Sequence, residues 1–240
     1  MFALSNGIQI PAVGFGTLAS EGAKGETYRA VSHTLIVGYG LLDCAWFYMN
    51  EQEIGEAIKD FLTVNSSVRR EDVFIVTKVW NRLHQYEDVL WSMESSLQKL
   101  KLGYVDMFLV HWPIAVEKEN CETPMLGPDG KYVFNRELTE NPEPTWRNME
   151  QLYAEGKARC IGTSNWAVAG LEKWLKFAEV KPHANQIEIH PFLPNNTLVE
   201  YCFDSDEAFN AIKKVKEGRH YRFVNINDIF GYDVWPEESA

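Results

Sequence analysis

The chain has 240 residues, 45% of them hydrophobic, and a formal net charge of -11 at pH 7. That length suits one large α/β domain, and the apolar fraction suits an ordinary globular core. The acidic balance argues against broad electrostatic binding to nucleic acid or to an anionic membrane, which requires a basic face, and leaves a small molecule as the expected partner.

The opening Met1-Phe-Ala-Leu-Ser5 lacks a basic stretch followed by an apolar one, and no apolar run reaches the length of a membrane span. The expectation is therefore a cytoplasmic protein. Cys44, Cys121, Cys160 and Cys202 are widely spaced and show no paired metal spacing, so they read as free thiols with no metal site.

In chain order, Asn6-Gly7 between Phe2–Leu4 and Gln9-Ile10 predicts a small hairpin, since Asn-Gly suits a type I′ turn. Val13 to Thr17 reads as a short strand whose glycines allow close backbone approach. A helix follows from Gly25 to Val37, with Gly38 at its C′ position. Five further strand–helix units are expected. Strand Leu41–Ala45 precedes helix Glu51–Leu62, and strand Val73–Val79 precedes helix Tyr86–Lys101. Strand Met107–Val110 leads through a long loop, Pro113 to Pro144, to helix Thr145–Glu155. Strand Arg159–Thr163 precedes helix Ala167–Ala178, and strand Asn185–Ile189 precedes the short helix Thr197–Tyr201. Such alternation predicts βα units on a parallel sheet. A loop as long as Pro113–Pro144 in a compact domain is usually a lid or a binding loop.

Three of the strands finish in ionisable side chains: Asp43, Lys78 and His111, with Tyr48 delivered just after the first. Parallel sheets collect reacting groups at the carboxyl ends of their strands, so these four residues are expected to meet. A tyrosine hydroxyl is a weak acid at neutral pH, and a neighbouring ammonium such as Lys78 stabilises its phenolate and lowers its pKa. Asp43 would keep Lys78 charged and directed, and a neutral His111 would orient a carbonyl oxygen. The set suits protonation of a developing oxyanion and lacks a nucleophile, so the missing reactant has to come from a cofactor.

With these residues in place, the chain resembles the aldo-keto reductases. The matching pieces are Gly14-Phe-Gly-Thr17, Leu42-Asp43 with Tyr48-Met-Asn-Glu51, Phe74-Ile-Val-Thr-Lys78, Asp106 with Leu109-Val-His-Trp-Pro113, Gly162-Thr-Ser-Asn165 and Asn185-Gln-Ile-Glu-Ile-His-Pro191. The resemblance implies a (β/α)8 barrel that reduces a carbonyl substrate by hydride transfer from NADPH, or alternatively NADH. It implies Tyr48 as proton donor, Lys78 and Asp43 as its tuning pair, and His111 as the group positioning the carbonyl. Gly16, Thr17, Asp43, Ser164, Asn165 and Gln186 would contact the cofactor, and Trp46, Phe47, Trp80, His111 and Trp112 would line the substrate pocket.

The tail, Arg219-His-Tyr-Arg222 with Phe230 to Glu238, resembles those of fungal reductases of xylose, glycerol or glyceraldehyde type. Ahead of it, Asp204 to Val215 reads as a capped amphipathic helix. The chain is thus expected to be one domain over 1–240, with barrel units one to six in 1–202 and a late helix and tail in 203–240.

One departure from the pattern is large. After Tyr201-Cys202 the sequence runs straight into the late helix, so roughly 70 to 80 residues holding the seventh and eighth strands are missing against the eight units of a closed barrel. In the family that block carries the phosphate-gripping residues. An incomplete barrel should leave strands one and six with unpaired edges and expose apolar interior side chains. The expected state is a monomer or weak homodimer. The alternative to a reductase is a catalytically silent barrel acting as a binding or regulatory protein, or a non-functional isoform.

Overall fold

The computed structural model describes residues 1–19 and 25–204. The expected helix after Asp204 and the tail lie outside the described residues.

The chain opens with the antiparallel hairpin β1 (Phe2–Ala3) and β2 (Gln9–Ile10). Gly7 adopts φ +83°, a left-handed conformation that favours glycine, and this closes the turn the Asn-Gly pair predicts. Asn6 Nδ2 donates to the Arg159 carbonyl at 3.1 Å and so fastens the hairpin to the rest of the molecule.

Six parallel strands follow: β3 (Phe15–Gly16), β4 (Leu41–Asp43), β5 (Phe74–Val79), β6 (Met107–Val110), β7 (Ile161–Ser164) and β8 (Asn185–Gln186). Each pairs with its neighbours in sequence, in the order β3-β4-β5-β6-β7-β8. The intervening helices are α1 (Glu26–Ile36), α2 (Glu51–Val64), α3 (Tyr86–Leu100), α4 (Arg136–Glu140), α5 (Glu143–Ala154), α6 (Val168–Leu175) and, after β8, α7 (Asn196–Asp204). The result is a curled half-barrel covered by helices, built from the βα units the sequence pattern predicts.

Alternation along the strands sends successive side chains to opposite faces. Leu42, Ile75, Val79, Phe108, Val110 and Ile161 belong to the outer core, with Val31 and Leu35 of α1, Ile54 and Ile58 of α2, Met93 of α3 and Trp146 of α5. The other face gathers Leu41, Phe74, Val76, Met107, Leu109 and Cys160, closed below by Leu4, Ile8 and Ile10 of the hairpin region. Close approach between α2 and α3 depends on Gly55, where an added Cβ would lie 2.3 Å from the Lys99 carbonyl oxygen.

Two expectations need correction. The apolar interior is not exposed: Phe74 retains 5% of its surface and Leu109 none, because the inward side chains and the hairpin cover one another. The last strand is two residues long rather than five. Among the described residues β8 has a neighbour on one side only, so nothing extends its pairing to Ile189. The long loop after β6 has local structure of its own. It holds α4 and the isolated bridges Val116↔Phe134, Lys118↔Pro124 and Leu126↔Tyr132. The expected unpaired edges are present, since β3 and β8 end the sheet among the described residues.

Candidate active site

The inward side chains change character toward the carboxyl end of each strand. Leu41 gives way to Asp43, Phe74 and Val76 to Lys78, Met107 and Leu109 to His111, and Gly162 to Ser164. Gly162 is required where it stands, because a Cβ there would lie 2.4 Å from the Ala184 carbonyl of the neighbouring chain segment.

Lys78 is the centre of the arrangement. Its side chain is 1% exposed, and its ammonium donates to Asp43 Oδ1 at 2.6 Å, to the Cys44 carbonyl at 2.9 Å and to the Tyr48 hydroxyl at 3.4 Å. An ammonium has three protons to donate, and here three acceptors take them. Burial opposes the charge, but Asp43, with Tyr48 behind it, outweighs that penalty and raises the Lys78 pKa.

Tyr48 ends a short 3-10 turn, Trp46–Tyr48, that opens from extended Ala45 and closes at Met49 with φ +56°. Its pKa is raised, which corrects the expectation of a lowered one. Burial has the largest effect, and the Lys78 ammonium, which acts downward, does not cancel it. Tyr48 therefore remains a protonated phenol at neutral pH.

His111 is 6% exposed and is ringed by Trp80 at 5.0 Å, Tyr48 at 5.8 Å and Trp112 at 6.0 Å between ring centres. Burial, then the charge of Lys78, then His84, hold its pKa well below the ordinary histidine value, so the ring is neutral. Its Nδ1 has no hydrogen-bond partner among the described residues.

The residues expected at the cofactor divide into two groups. Gly16 leaves open space where a Cβ would stand, whereas Thr17 is buried and spends both its donors on the Asp43 carbonyl, at 3.0 Å from N and 2.9 Å from Oγ1. Thr17 thus ties the top of β3 to β4. Ser164 Oγ donates to the Gln186 carbonyl at 3.0 Å, and Asn165, at φ +68°, donates through Nδ2 to the His111 carbonyl at 2.9 Å. Asn165 links the ends of β6, β7 and β8, because its own N–H also donates to the Gln186 carbonyl.

Among the expected pocket aromatics, Phe47 stacks on Trp80 with ring centres 3.7 Å apart, and Phe47 is 39% exposed. Trp46 does not line the site. It is 2% exposed, donates from Nε1 to Ser95 Oγ at 3.3 Å, and lies against Trp91 and beneath Arg82. In a 3-10 turn successive side chains fan out by about a third of a turn, so Trp46, Phe47 and Tyr48 take three different directions.

One residue escapes the sequence reading as anything but part of a motif. Glu51, 1% exposed, accepts from Thr77 Oγ1 at 2.7 Å and Ser96 Oγ at 3.0 Å, and burial raises its pKa. It braces β5 against α3 directly behind Lys78; its only signal in the sequence is its place at the start of α2 beside Tyr48. A separate cleft of about 470 Å³, lined by the hairpin with Glu71, Asp72, Phe74 and Arg159, contains none of the four central residues.

The sequence model of the Aldo/keto reductase family matches residues 12–238. Glycerol 2-dehydrogenase (NADP(+)) of Hypocrea jecorina is 47% identical over 313 aligned residues, spanning 99% of this chain and 98% of the relative. With 240 residues to set against 313, at least 73 aligned positions have no counterpart here, which agrees with the size of the missing block. D-galacturonate reductase of the same organism is 42% identical over 84% of this chain, which spans 63% of that relative. The aldose reductase of Schistosoma japonicum superposes with a TM-score of 0.79 at 36% identity, over 87% of this chain and 67% of that one. Sequence, fold and relatives agree: the chain belongs to the aldo/keto reductase family.

Proposed function

We propose that the protein reduces an aldehyde or ketone to the alcohol with NADPH, and that Tyr48 is the proton donor. The observation that carries this reading is the buried Lys78 ammonium, bonded at once to Asp43 and to the Tyr48 hydroxyl. A phenol kept protonated, yet touching a cation that can stabilise its phenolate, is suited to release its proton only as negative charge develops on a nearby oxygen. A neutral His111 donates a hydrogen bond to that oxygen and fixes its direction. Asp43 holds the ammonium in place throughout. Phe47, Trp80 and Trp112 form an apolar wall that excludes water from the reacting atoms.

The donor set fits a nicotinamide. The Asn165 side-chain carbonyl and the Gln186 amide would bond its carboxamide beside Ser164, whose hydroxyl already donates to the Gln186 carbonyl, and Gly16 leaves room for close approach. When bound, the nicotinamide supplies the hydride. The name of the Hypocrea jecorina glycerol 2-dehydrogenase (NADP(+)) supports NADP(H), and the names of both fungal relatives point to a polyol- or sugar-derived carbonyl substrate. The phosphate end is less well provided for, because the resemblance places the phosphate-gripping residues in the block missing after Cys202. Each charge-assisted bond lost is worth roughly 1.5 to 3 kcal/mol, so affinity should be weaker than in a full-length relative.

Titration with NADPH, followed by tryptophan fluorescence, tests the reading. Saturable quenching and aldehyde-dependent oxidation of NADPH are expected, and Tyr48→Phe should lower turnover by about 100-fold or more while leaving quenching unchanged. A folded chain without quenching, or a Tyr48→Phe variant with full turnover, would overturn it.

A further inference from the structure

Away from the site, the loop after β6 brings an amine, a thiol and a carboxylate into contact. Lys118 Nζ donates to Asp88 Oδ1 at the start of α3 and lies 3.7 Å from Cys121 Sγ. That sulfur is 3.5 Å from the same carboxylate oxygen. The lysine and aspartate side chains are 18% and 8% exposed. Cys121 is partly exposed, whereas Cys44, Cys160 and Cys202 are buried.

The turn that carries the thiol is held from several sides. Asn120 Oδ1 accepts from the N–H groups of Glu122 and Thr123, and Arg82 donates to the carbonyls of Cys121 and Glu122 at 2.9 and 2.7 Å. Sulfur and nitrogen are therefore kept near each other, with a base between them. Burial, and after it Asp88, pushes the thiol pKa up, so in reducing conditions the sulfur remains a thiol.

We propose that Cys121 and Lys118 form a reversible sulfur–nitrogen bond, a sulfenamide, when the protein meets hydrogen peroxide. In the first step the thiol proton passes to Asp88 and sulfur attacks peroxide. The O–O bond breaks, an S–O bond forms, and hydroxide leaves as water with the proton from Asp88. Sulfur has lost two electrons and peroxide has gained them, giving a sulfenic acid at Cys121. In the second step the Lys118 ammonium gives one proton to Asp88 and its lone pair attacks sulfur. The S–O bond breaks, hydroxide leaves as water with that proton, and a second nitrogen proton goes to solvent. The balance is one thiol, one ammonium and one peroxide to one sulfenamide, two waters and one proton.

The link removes the positive charge at Lys118. Asp88, whose Oδ2 already has no hydrogen-bond partner among the described residues, then loses its counter-charge in a buried position. Peroxide would in this way release the loop from α3.

The test is peptide mass mapping of the whole protein after peroxide treatment, a readout independent of reductase activity. The segment containing Lys118 and Cys121 should lose two hydrogens and retain no oxygen, resist tryptic cleavage at Lys118, and return to its original mass with dithiothreitol. Lys118→Arg keeps a cation for Asp88 and should instead accumulate oxygen on Cys121; Cys121→Ser should do neither. Oxygen addition alone in the unaltered protein, a disulfide between two copies, or the two-hydrogen loss persisting in Lys118→Arg would each overturn the proposal.

Discussion

At the scale of single residues, the site sets ion pairing against burial. Lys78 has no route to solvent for its charge, so replacing it with Met leaves Asp43 without its partner. Breaking a buried pair from one side costs about 3 kcal/mol or more. The Lys78→Met protein should therefore unfold at lower urea and show an even higher Tyr48 pKa, readable as the ultraviolet phenolate transition. A stability unchanged by the substitution would mean that the pair contributes nothing net. The histidines set the response to acid. Burial holds the pKa of His84 down to about 3, and His111 and His183 are lowered too. The unfolded chain takes up protons below about pH 6.5 that the folded chain refuses, so stability is full above that value and falls as pH drops from 6.5 toward 3. Melting temperature measured from pH 7 to 4 should decline along this range, and the decline should be shallower in His84→Gln.

At the scale of elements, α2 and α3 touch backbone to backbone. Gly55→Ala would place a methyl 2.3 Å from the Lys99 carbonyl oxygen and 2.6 Å from the Leu100 carbonyl carbon, neither of which can swing aside. The cost should be about 2 to 3 kcal/mol, seen as a lower urea midpoint at an unchanged m-value. This scale also shows how much of the fold was legible in the sequence. Strand β6 occupies Met107–Val110 as expected, because a continuous apolar run between polar residues is enough to define a strand buried on both faces. Strand β8 is shorter than its apolar alternation suggests, because a strand also needs partners, and these are decided elsewhere in the chain. Asp43, Lys78 and His111 were visible as endings of successive apolar runs, with Tyr48 delivered just after the first. The outward turn of Trp46 and the raised pKa of Tyr48 were not, since one depends on the rotation of a three-residue turn and the other on burial by residues distant in sequence.

At the scale of the molecule, the sheet ends in strands that have a neighbour on one side only among the described residues. Val13 and Leu18 flank β3 and are 64% and 66% exposed, a combination that invites pairing with other chains. Val13→Lys should lower light scattering on gentle heating without altering the far-ultraviolet circular dichroism; unchanged scattering would place the association elsewhere. The strand order has one more consequence. In a closed barrel the first strand must wait for the last, whereas among the described residues each strand from β4 to β8 beds onto the one made just before it. A ribosome releasing this chain would deliver each βα unit to a template already in place, so the growing polypeptide can acquire its shape from the N-terminal end while the remainder is still being translated.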